Sequence, residues 1–155
     1  MLKYFNIFKN PYFLILLAGL FLDQLTKNLA QKFLSLFYPL WIIKPYFSLQ
    51  LVHNYGAAYG ILQNKRILLL VVSIAVICAA LYFFVKYANN KLLKLGITFL
   101  CIGAIGNFLN RLFLGYVVDF VDIKIFPVFN LADVFIDLAI LLLILDFFNL
   151  NQKQG

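Results

Sequence analysis

The chain has 155 residues, of which 65% are hydrophobic and 12% are charged, and its formal net charge is +7. Soluble domains are about 45–50% apolar and about 25% charged. The composition therefore excludes an ordinary soluble domain and indicates one integral membrane domain over residues 1–155. The basic residues are spread along the chain, which argues against a nucleic-acid-binding surface and favours contact with lipid headgroups.

The chain begins with a short aromatic and basic segment, residues 1–9, that we expect to lie at the membrane interface. The first predicted span follows at about residues 11–30, and the asparagine–proline pair at its start is typical of a helix N-terminus. Asp23 and Lys27 interrupt the apolar stretch at i and i+4, so they share one helix face. A local ion pair at the helix end and a functional pair are both compatible with this spacing. A cleaved signal peptide is disfavoured because no small-residue cleavage site follows.

Residues 31–65 form the least regular part of the chain. The aromatic residues between positions 33 and 41 predict an amphipathic element in the membrane interface. Residues 47–54 alternate between apolar and polar and predict a strand. The small residues of the segment 54–60 would let the backbone approach a ligand closely. His53 is the only histidine, so we expect no metal site.

Three further spans are predicted at about residues 67–86, 94–113 and 131–149. Four spans would place both termini on the same side of the membrane, but the distribution of basic residues does not decide which side. Cys78 and Cys101 each lie in an apolar stretch, so we expect buried free thiols.

Polar side chains cluster between the third and fourth spans. Asn107 and Arg111 share a helix face, Asn130 and Asp133 begin the fourth span, and Asp119 lies in the connecting segment. We expect this segment to double back and bring the two carboxyl groups together at the outer membrane boundary. Such a desolvated pair holds one shared proton, so one carboxyl can deprotonate water while the other protonates a scissile carbonyl.

Ionisable groups inside membranes also serve interhelical pairing and proton or ion transport. The composition by itself favours a transporter or channel component over a peptidase. Asn54, Arg111 and Asn130 could anchor peptide carbonyls or hold the carboxyl groups in place. No serine or cysteine nucleophile has a recognisable base beside it in the sequence.

Five sequence blocks resemble, in the same order, those of the type II signal peptidases, the lipoprotein signal peptidases of bacterial membranes. The blocks are DQLTK at 23–27, NYGAAYG at 54–60, GAIGNFLNR at 103–111, VVDF at 117–120 and FNLAD at 129–133. They extend over most of the chain, so the resemblance is highly specific.

The resemblance implies an all-α membrane fold with four transmembrane helices, a small extracytoplasmic β-sheet and an interfacial helix. It implies an aspartic endopeptidase, a hydrolase without cofactor or metal, that removes the signal peptide from diacylglyceryl-modified prolipoproteins by cleaving before the lipidated cysteine. The protein would be a multi-pass monomer of the bacterial cytoplasmic (inner) membrane, in contact with membrane lipids. Its active site would face the periplasm or cell exterior, and globomycin-type cyclic peptides would inhibit it.

The resemblance also assigns site residues. Asp119 and Asp133 become the catalytic dyad. The positions that carry over as supporting or substrate-binding residues are Asp23, Lys27, Asn54, Gly56, Gly103, Asn107, Arg111 and Asn130.

Some positions depart from the family pattern. Asn110 stands where many relatives have Asp. If the carboxylate of those relatives pairs with the arginine, Arg111 must find another partner here, and we expect Asn110→Asp to be tolerated. The interval between the dyad aspartates is short compared with some relatives. Asp122 and Asp137 match no block; we expect Asp122 in a solvated loop, whereas Asp137 could pair with a neighbouring helix.

Overall fold

The computed structural model describes residues 10–87 and 89–152. The predicted interfacial segment at residues 1–9 lies outside the described residues. Within these residues, four long α-helices and a three-stranded antiparallel sheet alternate along the chain. Their bounds are α1 Pro11–Phe33, β1 Leu40–Ile43, β2 Phe47–Asn54, α2 Arg66–Lys86, α3 Lys91–Phe113, β3 Val117–Asp122 and α4 Leu131–Gln152.

Three of the described helices, α1, α2 and α3, are long and apolar enough to cross a membrane. Their bounds differ from the predicted spans by only a few residues. Helix α4 has 22 residues and includes three carboxyl groups, those of Asp133, Asp137 and Asp146. The fourth membrane crossing stays a prediction.

Asparagine side chains define the starts of two helices. Asn10 accepts a hydrogen bond from the Tyr12 backbone N–H at 3.0 Å, and a proline occupies the first position of α1. Asn90 caps α3 by accepting from the Leu93 N–H. Its amide also donates to both carboxyl oxygens of Asp146, at 2.9 and 3.0 Å. The turn between α2 and α3 is thereby attached to α4.

Helix α3 lies at the centre of the bundle, because it contacts α1, α2 and α4. Two glycines bring its backbone close to these neighbours. Gly103 faces the Ala132 carbonyl of α4, and Gly106 faces the Asp23 carboxylate of α1. A Cβ atom at either position would overlap these atoms. Small residues that allow such close approach therefore set the spacing of α3 from both helices.

The sheet has the order β1-β2-β3, with both pairs antiparallel. Its register places Asp119 of β3 opposite Val52 of β2. Leu51 and Val118 are buried with Ala30 near the end of α1. This apolar contact fixes the sheet against the helix bundle and hence the position of Asp119.

The interfacial helix is not confirmed. Between α1 and α2, the one helical segment that the structure describes is a short 3-10 turn, Ala58–Gly60. Phe33 instead ends α1, residues 34–39 form a loop, and Trp41 lies in β1, where it pairs with Ser48 of β2. Aromatic and β-branched residues favour strands when a partner strand is available, and here only three residues separate β1 from its partner strand β2.

The prediction of a solvated loop at Asp122 is wrong. Asp122 ends β3 and is 7% exposed. Its carboxylate accepts from the Ser48 hydroxyl at 3.4 Å and forms an ion pair with Lys124, whose ammonium lies 4.7 Å from the centre of the Trp41 ring. Although burial raises the pKa of Asp122, the hydrogen bonds and positive charge of Lys124 outweigh it and hold the pKa below its usual range.

Two smaller expectations also change. Cys101 is buried as expected, but Cys78 is exposed on α2. Asp137 is exposed on α4. No hydrogen bond or ion pair of its side chain is found in the part of the chain that the structure describes.

The glycine contact between α3 and α4 yields a prediction. In Gly103→Ala the new methyl group would overlap the Ala132 carbonyl and the Ile136 side chain, and overpacking of this kind costs about 1–3 kcal/mol. We expect a lower melting temperature in detergent. Gly96→Ala on the same helix is the matched control, because its Cβ would lie no closer than 3.2 Å to side-chain atoms of Leu142 and Leu143, so only a small adjustment is needed. Equal melting temperatures for the two variants would contradict this account.

Candidate active site

The carboxyl group of Asp119 is held by two amides. Its Oδ2 accepts from Asn54 Nδ2 at 2.9 Å, and its Oδ1 accepts from Asn130 Nδ2 at 2.6 Å. Asp119 itself is 2% exposed. One amide comes from the neighbouring strand β2 and the other from the residue before α4, so the carboxyl orientation depends on both elements.

Asp133 lies in the first turn of α4. Its Oδ2 accepts from the Asn130 backbone N–H at 3.1 Å, while Asn130 Oδ1 accepts from the Asp133 N–H at 3.2 Å. These reciprocal bonds form a capping box. The second carboxyl oxygen, Oδ1, accepts from Asn107 Nδ2 at 2.9 Å. Helix N-termini also carry a partial positive charge, so the position suits a carboxylate.

A short antiparallel bridge brings the two carboxyl groups to one residue, Asn130. Phe129 pairs with Val121 through backbone hydrogen bonds of 2.9 and 3.0 Å, so the chain doubles back beside β3. Asn130 then contacts Asp119 with its side chain and Asp133 with its backbone. The predicted return of this segment towards β3 is found in the structure.

Burial and charge both act on Asp119. Burial raises the pKa of its carboxyl, and the negative charge of Asp133 raises it further. Hydrogen bonds from Asn54 and Asn130 and the positive charge of Lys27 partly oppose this, and the pKa lies at about 6. A carboxyl group in this state can hold a proton near neutral pH, which is the property that acid–base catalysis requires.

Asp23 and Lys27 form a buried ion pair on α1, with 3.0 Å between Lys27 Nζ and Asp23 Oδ2. The exposed fractions of these side chains are 1% for Lys27 and 0% for Asp23. Lys27 Nζ also donates to Asn107 Oδ1 at 2.9 Å. This ion pair is therefore more than a local contact within helix α1, because Lys27 contacts Asn107 of α3, which in turn contacts Asp133.

Arg111 finds a backbone partner. Its Nη2 donates to the Gly56 carbonyl at 2.9 Å. The Gly56 N–H in turn donates to Asn54 Oδ1 at 2.9 Å. A Cβ at Gly56 would lie 2.7 Å from the Ile61 carbonyl oxygen, so the turn requires glycine. Arg111 and Asn54 thus hold the loop that follows β2 beside Asp119.

Asn110 supports β3. Its Oδ1 accepts from the Val118 backbone N–H at 3.1 Å, and its Nδ2 donates to Gln24 Oε1 at 3.3 Å. Gln24 Nε2 donates to Asp23 Oδ2 at 2.8 Å and to the Gly106 carbonyl at 3.2 Å. Asn110 and Gln24 were not among the sequence-predicted site residues. A polar residue beside Asp23 in an apolar span was the signal that could have identified Gln24.

Nine of the ten sequence-predicted residues lie in one cluster. Hydrogen bonds connect Asp23, Lys27, Asn107, Asn130, Asp133, Asp119 and Asn54, and Gly56 and Arg111 attach through Asn54. Gly103 lies outside this network and packs against α4. Among the described residues, no group of three or more His, Cys, Asp or Glu side chains is suited to a metal ion.

Comparisons with known proteins agree with this architecture. A sequence model of signal peptidase (SPase) II matches residues 15–149. The lipoprotein signal peptidase of Clostridium novyi is 37% identical over 136 residues, covering 84% of this chain and 92% of its own. That of Caldanaerobacter subterraneus is 44% identical over 124 residues, covering 79% and 86%.

Solved structures of bacterial membrane enzymes have the same fold as this chain. A bacterial membrane enzyme determined by the in meso method superposes with a TM-score of 0.88 at 31% sequence identity, over 93% of this chain and 91% of that one. A second such enzyme has a TM-score of 0.80 and 33% identity, over 88% and 91%. Because the family model extends over most of the chain and the relatives match over nearly their full length, the chain belongs to the signal peptidase II family of membrane proteases.

Proposed function

We propose that the chain is an aspartic endopeptidase that removes the signal peptide from diacylglyceryl-modified prolipoproteins, cleaving before the lipidated cysteine. Relatives that bear the name lipoprotein signal peptidase support the substrate class. The observation that carries the mechanism is the attachment of two carboxyl groups, Asp119 and Asp133, to the single residue Asn130.

In the proposed reaction, Asp133 acts as the carboxylate and Asp119 holds the proton. Asp133 takes a proton from water, whose oxygen attacks the scissile carbonyl carbon, while Asp119 donates its proton to the carbonyl oxygen. The result is a neutral gem-diol without a covalent enzyme intermediate. When the C–N bond breaks, the proton on Asp133 passes to the leaving nitrogen, and one gem-diol hydroxyl returns its proton to Asp119. The dyad thereby regains its single proton.

The supporting residues have separate roles in this proposal. Asn54 and Asn130 orient Asp119, Asn107 orients Asp133, and Arg111 holds the Gly56 loop beside the site. These bonds fix the orientation of both carboxyl groups, and groups held in this way need little rearrangement during the reaction.

The setting of the site is also part of the proposal. The protein acts as a monomer in the bacterial cytoplasmic membrane, with α4 as a fourth crossing and the sheet and dyad on the outer side. A dyad on the outer side of the membrane would lie near a lipid-anchored cleavage site. Globomycin-type cyclic peptides would inhibit by occupying the peptide site.

The dyad is tested by isosteric substitution. Asp119→Asn and Asp133→Asn should each abolish cleavage of a purified lipidated precursor in a gel-shift assay, because an amide cannot exchange the proton. Precursor binding should remain measurable, and the two losses should be non-additive because the pair acts as one unit.

Two other aspartates are matched controls for these substitutions. Asp122→Asn lies on the same strand as Asp119, and Asp137→Asn lies one turn beyond Asp133 on α4. Both should remain active. A fully active Asp119→Asn or Asp133→Asn protein would refute the assignment.

The pKa of about 6 at Asp119 gives a pH prediction. A raised carboxyl pKa means that the proton is held up to a higher pH than usual. Above about pH 6 the free enzyme loses this proton, and a doubly ionised dyad cannot protonate the carbonyl. We therefore expect kcat/KM, which reports the free enzyme, to fall about tenfold per pH unit above this value. The fall in kcat should occur at higher pH, because bound substrate excludes water.

The measurement is a set of initial rates across the pH range, on wild type and on Asp122→Asn. Asp122 lies outside the network around Asp119, so this variant should have the same profile. A kcat/KM that stays flat from acid to alkaline pH would contradict the proton-holding role of Asp119.

The contacts of Asn110 change the expectation for Asn110→Asp. One introduced carboxylate oxygen can still accept from Val118, but the other faces Gln24 Oε1, which needs a donor. Gln24 is prevented from turning its amide, because Nε2 already donates to Asp23 and Gly106. A buried acceptor left without its donor costs about 1–3 kcal/mol. We therefore expect lower thermal stability at neutral pH.

Thermal unfolding in detergent tests this, with Asn149→Asp at an exposed position of α4 as the control. The loss of thermal stability should be smaller at acidic pH, because the protonated carboxyl group of the introduced aspartic acid can donate to Gln24 as the asparagine does. Wild-type stability of Asn110→Asp at neutral pH would show that the site accepts a charge and would favour pairing with Arg111 instead.

A further inference from the structure

Lys27 has no direct part in the proposed reaction, although it is buried within the site. Its side chain is 1% exposed and donates to Asp23 and Asn107. Among the described residues, it makes no hydrogen bond to Asp119 or Asp133. Burying an ammonium group in an apolar bundle costs free energy. The ion pair with Asp23 offsets part of this cost, but it does not explain why Lys27 also donates to Asn107.

Asn107 connects the ammonium to the dyad. Lys27 Nζ donates to Asn107 Oδ1 at 2.9 Å, and Asn107 Nδ2 donates to Asp133 Oδ1 at 2.9 Å. Asn130 Nδ2 also approaches Asn107 Oδ1, at 3.3 Å. An ammonium can only donate hydrogen bonds and an ionised carboxylate can only accept them. The asparagine amide must therefore place its oxygen towards Lys27 and its NH₂ group towards Asp133.

Rotation of the Asn107 amide by half a turn would reverse both contacts. The NH₂ group would then face the ammonium, and the oxygen would face the Asp133 carboxylate. Both contacts would be repulsive, at a distance where desolvated charges interact strongly. Lys27 thus fixes the one amide orientation in which Asn107 holds Asp133.

The charge of Lys27 also reaches Asp119. The charged groups that face Asp119 are Asp133 from α4, Lys27 from α1 and Arg111 from α3, with Asp23 behind Lys27. On the β2 side the facing group is the neutral amide of Asn54. Asp133 raises the pKa of Asp119, whereas Lys27 lowers it. Loss of the ammonium would therefore raise this pKa.

We propose that Lys27 is a positioning residue of the dyad: it acts through Asn107 to hold the Asp133 carboxylate, and its charge balances that of Asp133. This inference rests on the proposed function, because it assumes that Asp119 and Asp133 carry out the reaction. It assigns to the ion pair on α1 a role in the chemistry as well as in the fold.

The experiment removes both charges of the ion pair together. Asp23→Asn/Lys27→Met leaves no unpaired buried charge, and asparagine keeps the shape that fits against Gly106. We expect a folded protein with KM little changed and kcat reduced about 100-fold, because the carboxylate loses its fixed position. The alkaline fall of kcat/KM should move to higher pH.

The other ion pair of the described residues, Asp122 with Lys124, provides the matched control. Asp122→Asn/Lys124→Met should leave kcat and the pH profile unchanged, because this pair has no hydrogen bond to the dyad. If Asp23→Asn/Lys27→Met also has wild-type kcat and an unshifted pH profile, the pair on α1 is only structural and the inference is overturned.

A second variant keeps the test decisive if the methionine variant does not fold. In Asp23→Asn/Lys27→Gln the glutamine NH₂ group can still donate to Asn107 without a charge. We expect part of kcat to return while the pH profile remains shifted. An unshifted profile with wild-type kcat would overturn the inference.

Failure of this inference is distinguishable from failure of the proposed function. If Asp119→Asn or Asp133→Asn proteins cleave the precursor, the assignment of the dyad is refuted. If both dyad variants are inactive but the Lys27 variants behave like wild type, only the role of Lys27 is refuted.

Discussion

The hydrogen bonds of Asn130 are the interaction on which the rest of the site depends. Its side-chain amide donates to Asp119 and its backbone N–H donates to Asp133, so a single residue sets the relative position of two carboxyl groups that would otherwise repel each other. Asn130 occupies this place because it precedes α4 and follows the bridge from Phe129 to Val121. Asn130 thus connects strand β3 to the N-terminus of α4.

The asparagines around the two carboxyl groups offset the free-energy cost of burying polar groups. Burying a carboxyl or ammonium group is costly unless it is hydrogen-bonded, and asparagine supplies both a donor and an acceptor without adding charge. Asn54, Asn107, Asn110 and Asn130 each connect two elements in this way. Because partly satisfied networks are costly in a low-dielectric interior, the network also makes the arrangement of α1, α3 and β3 specific.

Helix α3 provides the platform for this network. Glycines let it approach α1 and α4 closely, and the same helix presents Asn107 towards Asp133, Asn110 towards the sheet and Arg111 towards the Gly56 loop. Close packing and polar connection are therefore coupled. A residue that increases the spacing between α3 and α4 should also displace Asp133 relative to Asn107, even though it touches neither.

The sequence by itself determined the helices, because their apolar stretches are local signals. It also singled out most of the polar residues of the hydrogen-bonded cluster, because they stand out in an apolar chain and lie in five ordered blocks that resemble those of the family. Only the tertiary structure decided that Asp122 is buried, that Trp41 lies in strand β1, and that Asn110 binds Gln24 and Val118. The contacts of Asp122 with Ser48 and of Asn110 with Gln24 join residues far apart in sequence, and β1 forms only because β2 pairs with it. Periodicity and spacing describe which residues share a face, whereas the contacts that satisfy a buried polar group are made between elements.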